Sequence, residues 1–211
     1  MNISVITTGA FQENCWLVWD AATREGFVLD PGEGVDEICQ EIERVGMKPK
    51  AVLNTHAHID HIQGVAGVRR RFRVPFHLHP EDRYWIDAAR DSAAMYGIRL
   101  DETPIPDRDI ADGDRFEAGA FRLTAIHTPG HTPGGVCFLG DGEVFVGDVL
   151  FAGSIGRTDF PGGSSPALMR SIRTRLLPLP DDTVVHSGHG PDTTIGRERR
   201  TNPFLTGVAR L

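Results

Sequence analysis

The stretch His56-Ala57-His58-Ile59-Asp60-His61 places three imidazoles and one carboxylate within six residues. It comes shortly after the apolar run 51–53, which predicts a buried strand. Side chains alternate along extended backbone, so residues 56, 58 and 60 are expected on one side, and a helix beginning at His61 would return that imidazole to the same place. Imidazole and carboxylate groups are common metal ligands. The stretch therefore predicts that one short loop supplies ligands to two adjacent metal ions.

Three further candidate ligands each follow a strand-like segment. His131 lies in the Pro- and Gly-rich loop 127–135, Asp148 directly follows the apolar segment 143–147, and His189 comes soon after two valines. Folds that mix strands and helices collect catalytic groups on loops at strand ends, because the sheet holds the root of each loop. We therefore expect His131, Asp148 and His189 to join the first stretch in one site.

The pattern of apolar residues predicts strands first and helices second, twice along the chain. This succession predicts an α/β fold in which two mixed sheets pack face to face and helices flank each of them. The predicted strands are 3–7, 15–19, 26–29, 51–54, 74–78, 115–125, 136–139, 143–146 and 183–185. The predicted helices are 35–45, 61–71, one that begins after residue 80, 166–177 and 194–201.

Length and composition limit the classes of protein to which this chain can belong. The chain has 211 residues and 40% hydrophobic residues, which is enough to bury one sizeable core, so we expect residues 1–211 to form a single domain. A net charge of −7 argues against a phosphate-binding surface, so no nucleic acid is expected. Residues 1–11 lack the pattern of a secretion signal, and no apolar run approaches the ~20 residues that cross a bilayer. We expect a cytoplasmic protein with no membrane partner; its oligomeric state stays open.

The three cysteines each lie among apolar residues at wide spacing. This pattern predicts reduced, packed thiols at Cys15, Cys39 and Cys137.

The motifs HAHIDH (56–61), HTPGH (127–131), GDVLF (147–151) and GHGP (188–191), in this order, resemble those of the metallo-β-lactamase superfamily. Within it, segments 153–163 and 194–199 are similar to short glyoxalase II-like hydrolases, that is, hydroxyacylglutathione hydrolase-like enzymes. The resemblance implies an αββα sandwich and a metal-dependent hydrolase with two divalent ions. Zinc is the expected metal, with iron or manganese as alternatives.

The same similarity implies a division of the ligands. His56, His58 and His131 would hold the first metal, Asp60, His61 and His189 the second, and Asp148 would bridge the two. The donor chemistry agrees, because seven side chains with one used twice give four protein bonds per metal and leave room for a shared water. Imidazole and carboxylate donors without thiolate suit zinc, iron or manganese. Asp60 and Asp148 are the expected catalytic residues, since Asp60 can also orient the attacking hydroxide.

Other polar residues receive smaller roles. Arg157 follows Asp148 in a Gly-rich loop, where its guanidinium could bind a substrate carboxylate, or could pair with Asp159 instead. Asp30 is expected to brace the metal loop by hydrogen bonds, and His127 to stabilise its own turn. Packing or surface roles are expected for His77, His79 and His186.

The expected reaction is hydrolysis of a small-molecule thioester such as S-D-lactoylglutathione, by attack of metal-bound hydroxide. Two departures from glyoxalase II weaken the expectation of glutathione itself. Only 211 − 189 = 22 residues follow His189, so the helical domain that helps those enzymes to bind glutathione is not expected. The loop after Asp148 also carries Arg157 to Phe160 where that family has Lys and Tyr.

Three alternatives remain open. Persulfide dioxygenases of the same superfamily share the Gly-Arg-Thr-Asp-Phe loop and use one iron, whose ligands here would be His56, His131 and Asp148. A lactonase of acyl homoserine lactones could use the same centre, because it opens esters. A non-enzymatic protein could use the metals as a structural staple. A true β-lactamase is disfavoured, since Asp148 stands where many of those enzymes have cysteine.

Overall fold

Two six-stranded sheets lie at the centre of the fold, and helices lie on the outer side of each. The computed structural model describes residues 1–209 of the chain. The first half contributes one sheet, with strands β1 Asn2–Thr8, β2 Glu13–Trp19, β3 Glu25–Leu29, β4 Lys48–Leu53, β5 Phe76–Leu78 and β6 Arg108–Asp109. Its helices are α1 Val35–Val45, α2 Ile59–Ile62, α3 Val65–Phe72, α4 Arg83–Asp87 and α5 Ala89–Tyr96.

The second half repeats the plan. Its strands are β7 Arg115–Ala118, β8 Phe121–His127, β9 Val136–Gly140, β10 Glu143–Gly147, β13 Val184–Ser187 and β14 Thr193–Thr194, with the small hairpin β11 Leu150–Phe151 and β12 Ser154–Ile155 beside them. Its helices are α6 Ser165–Ser171, which continues as a π-helical turn over Ile172–Leu176, and α7 Ile195–Thr201.

Both sheets are mixed. In the first, β1, β2 and β3 are antiparallel, and β3 to β6 are parallel. In the second, β7 to β10 are antiparallel and β13 runs parallel to β10. Strands β8, β10 and β13 therefore point the same way, so the loops that leave their carboxyl ends meet at one edge of the sheet. These loops carry His131, Asp148 and His189.

Alternation along the strands builds three apolar layers. In β2, Leu17 faces helices α1 and α3, whereas Trp16 and Val18 face the opposite sheet. Side chains of the two inner faces, including Phe138 and Phe145, fill the layer between the sheets. A third layer packs the outer face of the second sheet against α6 and α7. This arrangement is the predicted αββα sandwich, and its helices and strands are held by burial of apolar surface.

Some predicted boundaries were wrong. The helix predicted over 61–71 is two helices, α2 and α3, because the amide of Gly64 donates to the carbonyl of Pro31 and interrupts the helical hydrogen bonds. The helix after Pro80 is likewise divided at Ala88 into α4 and α5. The strand predicted over 115–125 is the hairpin of β7 and β8.

The cysteine prediction is confirmed, because all three thiols are free and buried. No helix within residues 1–209 is long and apolar enough to span a membrane.

Candidate metal centre

Three histidines form the first cluster: His56, His58 and His131. Their ring centroids lie 4.8 Å (His56 to His58), 4.8 Å (His56 to His131) and 4.5 Å (His58 to His131) apart. One ring nitrogen from each lies within 4.8 Å of the others, and all three side chains are buried. The loop after β4 and the loop after β8 thus bring together residues that are 75 positions apart (131 − 56).

The second cluster consists of Asp60, His61 and His189. Oδ2 of Asp60 lies 3.2 Å from Nε2 of His189 and 3.8 Å from Nε2 of His61. Helix α2 begins at Ile59, with His58 as its N-cap, so a helical turn presents Asp60. The expectation that extended backbone places residue 60 beside 56 and 58, with the helix starting at His61, was therefore wrong.

Asp148 lies between the two clusters. Its Oδ1 is 3.5 Å from Nε2 of His61, and its Oδ2 is 3.6 Å from Nε2 of both His131 and His189. One carboxylate therefore faces a histidine of the first cluster and two of the second. This is the position that a bridging ligand requires.

The donor atoms fit metal ions, because they are buried and lack protein partners. Among the described residues, the unpartnered buried side-chain atoms include Nε2 of four of these histidines and Oδ1 of Asp148. A buried polar atom without a hydrogen bond costs free energy, so such atoms normally have a partner. Their convergence within each cluster fits metal ions that would accept their lone pairs.

In three of these histidines the other ring nitrogen, Nδ1, makes a hydrogen bond to the protein. These bonds fix the ring so that the lone pair of Nε2 points into the candidate site. Nδ1 of His131 lies 2.7 Å from the carbonyl oxygen of Arg157, and Nδ1 of His189 lies 3.0 Å from that of Phe11. Nδ1 of His61 lies 3.1 Å from Oδ2 of Asp30. An Nδ1–H that donates to these acceptors leaves Nε2 unprotonated, which is the form that binds metal.

Asp30 braces the loop that carries the HAHIDH motif. Its carboxylate accepts hydrogen bonds from the backbone amide and the hydroxyl of Thr55, besides its contact with His61. Its backbone is left-handed, with φ of 47°, a conformation that costs energy for a residue with a side chain and is found often at functional sites. The predicted bracing role of Asp30 agrees with these contacts.

Electrostatics differ between the clusters. Burial lowers the pKa of His56 well below its usual value and that of His58 to about 3, so the first cluster disfavours protons. Burial also lowers the pKa of His61, but Asp148 and Asp60 outweigh it and the net shift is upward. The second cluster therefore favours positive charge, which a divalent cation supplies.

Three residues that sequence reasoning missed support the centre. Asp82 accepts hydrogen bonds from the amides of Ala57 and Gly134 and from the hydroxyl of Thr132, so it joins the two loops of the first cluster. Burial raises its pKa to about 6. In the sequence, Asp82 resembles any acidic residue at the start of a helix, so nothing there marked it.

The other two are Glu13 and Gly188. Glu13 is buried behind His61, with Oε1 at 3.9 Å from Nδ1 of that ring, and burial raises its pKa well above the usual value. A Cβ at Gly188 would lie 2.5 Å from Oδ1 of Asp148 and 2.6 Å from Cε1 of His61, so only glycine fits there. Gly188 and Gly190, on either side of His189, were the sequence signal that could have predicted a close approach of other residues to this turn.

The remaining histidines lie outside both clusters. His127 bonds the carbonyl of Pro133 through Nε2 at 2.9 Å, in agreement with its predicted turn-stabilising role. It also stacks on His79, with ring centroids 4.3 Å apart and nearly parallel planes. His77 packs against Phe116, and His186 bonds Glu143 and Asp192.

Both clusters open into a cavity of about 570 Å³. The metal-facing end includes His58, Asp60, His131, Asp148 and His189. Helices α4 and α5 form one wall of the cavity, and the segment that contains Arg157, Phe160 and Pro161 forms another. The candidate metal centre is therefore accessible to a small molecule.

The sequence profile of the metallo-beta-lactamase superfamily matches residues 8–189, which include all seven candidate ligands. The chain belongs to this superfamily. Hydroxyacylglutathione hydrolase GloC of Haemophilus influenzae is 39% identical over 209 residues, which cover 97% of this chain and 98% of that relative. Both the superfamily and such relatives support a metal-dependent hydrolase.

Two solved structures are similar to this chain over nearly their whole length. BLEG-1, described as a B3 metallo-beta-lactamase, has a TM-score of 0.90 and 38% identity, and the match covers 98% of this chain and 100% of that one. TTHA1623, solved in a di-iron-bound form, has a TM-score of 0.88 and 40% identity, with 96% and 100% coverage. The predicted fold and family are thus confirmed.

Proposed function

We propose that this protein is a dinuclear metal-dependent hydrolase of small thioesters such as S-D-lactoylglutathione. The position of Asp148 between two complete ligand clusters carries the proposal, because a single-metal enzyme has no use for the second cluster. Similarity to a hydroxyacylglutathione hydrolase over almost the whole chain supports the thioester class.

In this proposal His56, His58 and His131 would hold one ion, Asp60, His61 and His189 would hold the other, and Asp148 would contribute to both. Zinc is the expected metal for these imidazole and carboxylate donors. Iron is the first alternative, because the similar TTHA1623 was solved with two irons, and manganese is the second.

Divalent ions bound there would supply Lewis acidity, because they would lower the pKa of a bound water to roughly 7 and polarise a substrate carbonyl. Asp60 lies at the cavity end of the second cluster, where its carboxylate can accept a hydrogen bond from the attacking water. Asp30 and the main-chain carbonyls behind the imidazoles keep the rings oriented. The departing thiolate is a good leaving group, so no protein acid is needed on that side.

The function can be tested with the purified protein after reconstitution with zinc. We expect release of glutathione from S-D-lactoylglutathione without consumption of oxygen. Asp148→Ala, prepared in parallel, controls for contaminating thioesterases. Oxygen uptake with glutathione persulfide, without thioester hydrolysis, would establish the mononuclear dioxygenase instead; hydrolysis of acyl homoserine lactones alone would establish the lactonase.

Arg157 is proposed as a substrate contact at the cavity wall. Its guanidinium lies 4.0 Å above the ring of Phe160 and pairs with Asp159 through two contacts of 2.7 Å. Because Asp159 already satisfies two of its N–H groups, we expect Arg157→Ala to raise KM for a carboxylate-bearing thioester only about two- to fivefold and to leave kcat unchanged. Steady-state kinetics measure this split; a fall in kcat with unchanged KM contradicts the assignment.

A further inference from the structure

The cavity beside the two clusters of candidate ligands has an apolar wall that the proposed reaction does not by itself explain. Seven large hydrophobic side chains are exposed among residues 1–209, and four of them, Phe11, Tyr84, Met95 and Tyr96, line this one cavity. Phe11 and Tyr96 contact each other edge to face at 5.4 Å between ring centroids. Apolar surface that is concentrated at a ligand site is typical of binding an apolar group, because binding removes that surface from water.

The opposite wall adds to the same surface. Phe160 and Pro161 line it, and the ring of Phe160 lies 6.2 Å from that of Trp85, which also lines the cavity. Away from the candidate ligands, nine of the twelve residues that line the cavity are therefore aromatic or aliphatic, and the other three are Asp91, Ser92 and Arg157.

The charges of the wall argue against an anionic arm. Apart from the candidate ligands, the charged residues that line the cavity are Asp91 and Arg157. Asp159 neutralises Arg157 through its paired contacts. Asp91 is exposed and has no ion-pair partner within the described part of the chain. Glutathione carries two carboxylates and one ammonium, so its net charge is negative. This wall offers it one uncompensated negative charge, on Asp91, and one cation, Arg157, that is already paired with Asp159.

We propose that the preferred substrate is a thioester whose leaving thiol is uncharged and apolar, and that Asp91 disfavours thiols that carry carboxylates. The inference rests on the proposed thioester hydrolysis, in which a short acyl group such as lactoyl leaves the thiol as the larger arm. Packing on Phe11, Tyr84 and Tyr96 provides the attraction, and Asp91 provides the repulsion.

The test compares D-lactoyl thioesters of benzyl mercaptan and of glutathione, which share the same reacting carbonyl. For the zinc-loaded wild-type protein we expect kcat/KM to be about tenfold higher, or more, with the benzyl thioester, mainly through a lower KM. Tyr84→Ala should raise KM for the benzyl thioester several-fold, and by a larger factor than it raises KM for the glutathione thioester.

A charge reversal isolates Asp91. Asp91→Lys should raise kcat/KM for the glutathione thioester about three- to tenfold at low salt and lose this gain at high salt. The change in kcat/KM for the uncharged benzyl thioester should be smaller and independent of salt. Asp87→Lys is the matched control, because Asp87 is an exposed acidic residue four positions earlier that does not line the cavity. It changes the net charge equally and should leave both substrates unaffected.

The outcomes separate the two proposals. Hydrolysis of both thioesters with a preference for glutathione overturns the inference and leaves the function standing. Equal gains from Asp91→Lys and Asp87→Lys also overturn it, because the effect would then come from net charge. Hydrolysis of neither thioester overturns the proposed function and the inference with it.

Discussion

Asp148→Ala is expected to lower kcat for thioester hydrolysis by roughly 10³-fold or more, the largest effect of any single substitution in the centre. The carboxylate lies within 3.6 Å of His61, His131 and His189, so its removal takes a donor from both clusters. His131→Ala should also nearly abolish hydrolysis, but with a smaller loss, since that ring belongs to the first cluster alone.

His77→Ala provides the control for both variants and should remain within about twofold of the wild type. His77 lies in β5 and packs against Phe116, away from the clusters and the cavity. Steady-state rates with each variant, together with metal content, measure the comparison. If His77→Ala is as damaging as His131→Ala, the assignment of the ligands is wrong.

Removal of the metals with a chelator is expected to abolish hydrolysis and to lower Tm by several degrees while both sheets remain folded. The three apolar layers contain none of the seven candidate ligands, so burial continues to hold the sandwich. A metal present at 100 times its Kd stabilises the folded state by about 2.7 kcal/mol, which is lost on chelation. Elemental analysis before chelation should find two ions per chain, and far-UV circular dichroism afterwards should report an intact fold.

Two results would contradict this prediction. One tightly held iron per chain, with no second ion after reconstitution with zinc or manganese, supports the mononuclear dioxygenase. Unfolding together with loss of the metals supports a structural staple, since the metals would then be required for the fold itself.

Much of the architecture was predictable because it depends on local patterns. Helix α1 occupies the predicted residues 35–45, since Ile38 and Ile42 recur at helical spacing and Gly46 ends the helix in a left-handed conformation. The prediction of one continuous helix over 61–71 was wrong because a distant contact interrupts it. The amide of Gly64 donates a hydrogen bond to the carbonyl of Pro31, which lies 33 positions earlier in the chain (64 − 31). This bond separates α2 from α3.

The donor chemistry of the candidate centre was determined by the sequence itself. Each ligand motif follows a strand, and parallel strand ends meet at one edge of a sheet, so the order of the motifs was enough to predict that His131, Asp148 and His189 come together. The identity of the donors also limits the metals that fit.

Only the tertiary structure revealed the surroundings of those donors. Asp82 joins loops that lie 25 and 52 positions away in the chain, and Glu13 lies behind His61 although 48 positions (61 − 13) separate them. The apolar wall likewise combines Phe11 with α4, α5 and Phe160. Burial, loss of hydration and the approach of distant charges arise only when remote segments of the chain pack together. They therefore cannot be predicted from the spacing of residues along the sequence.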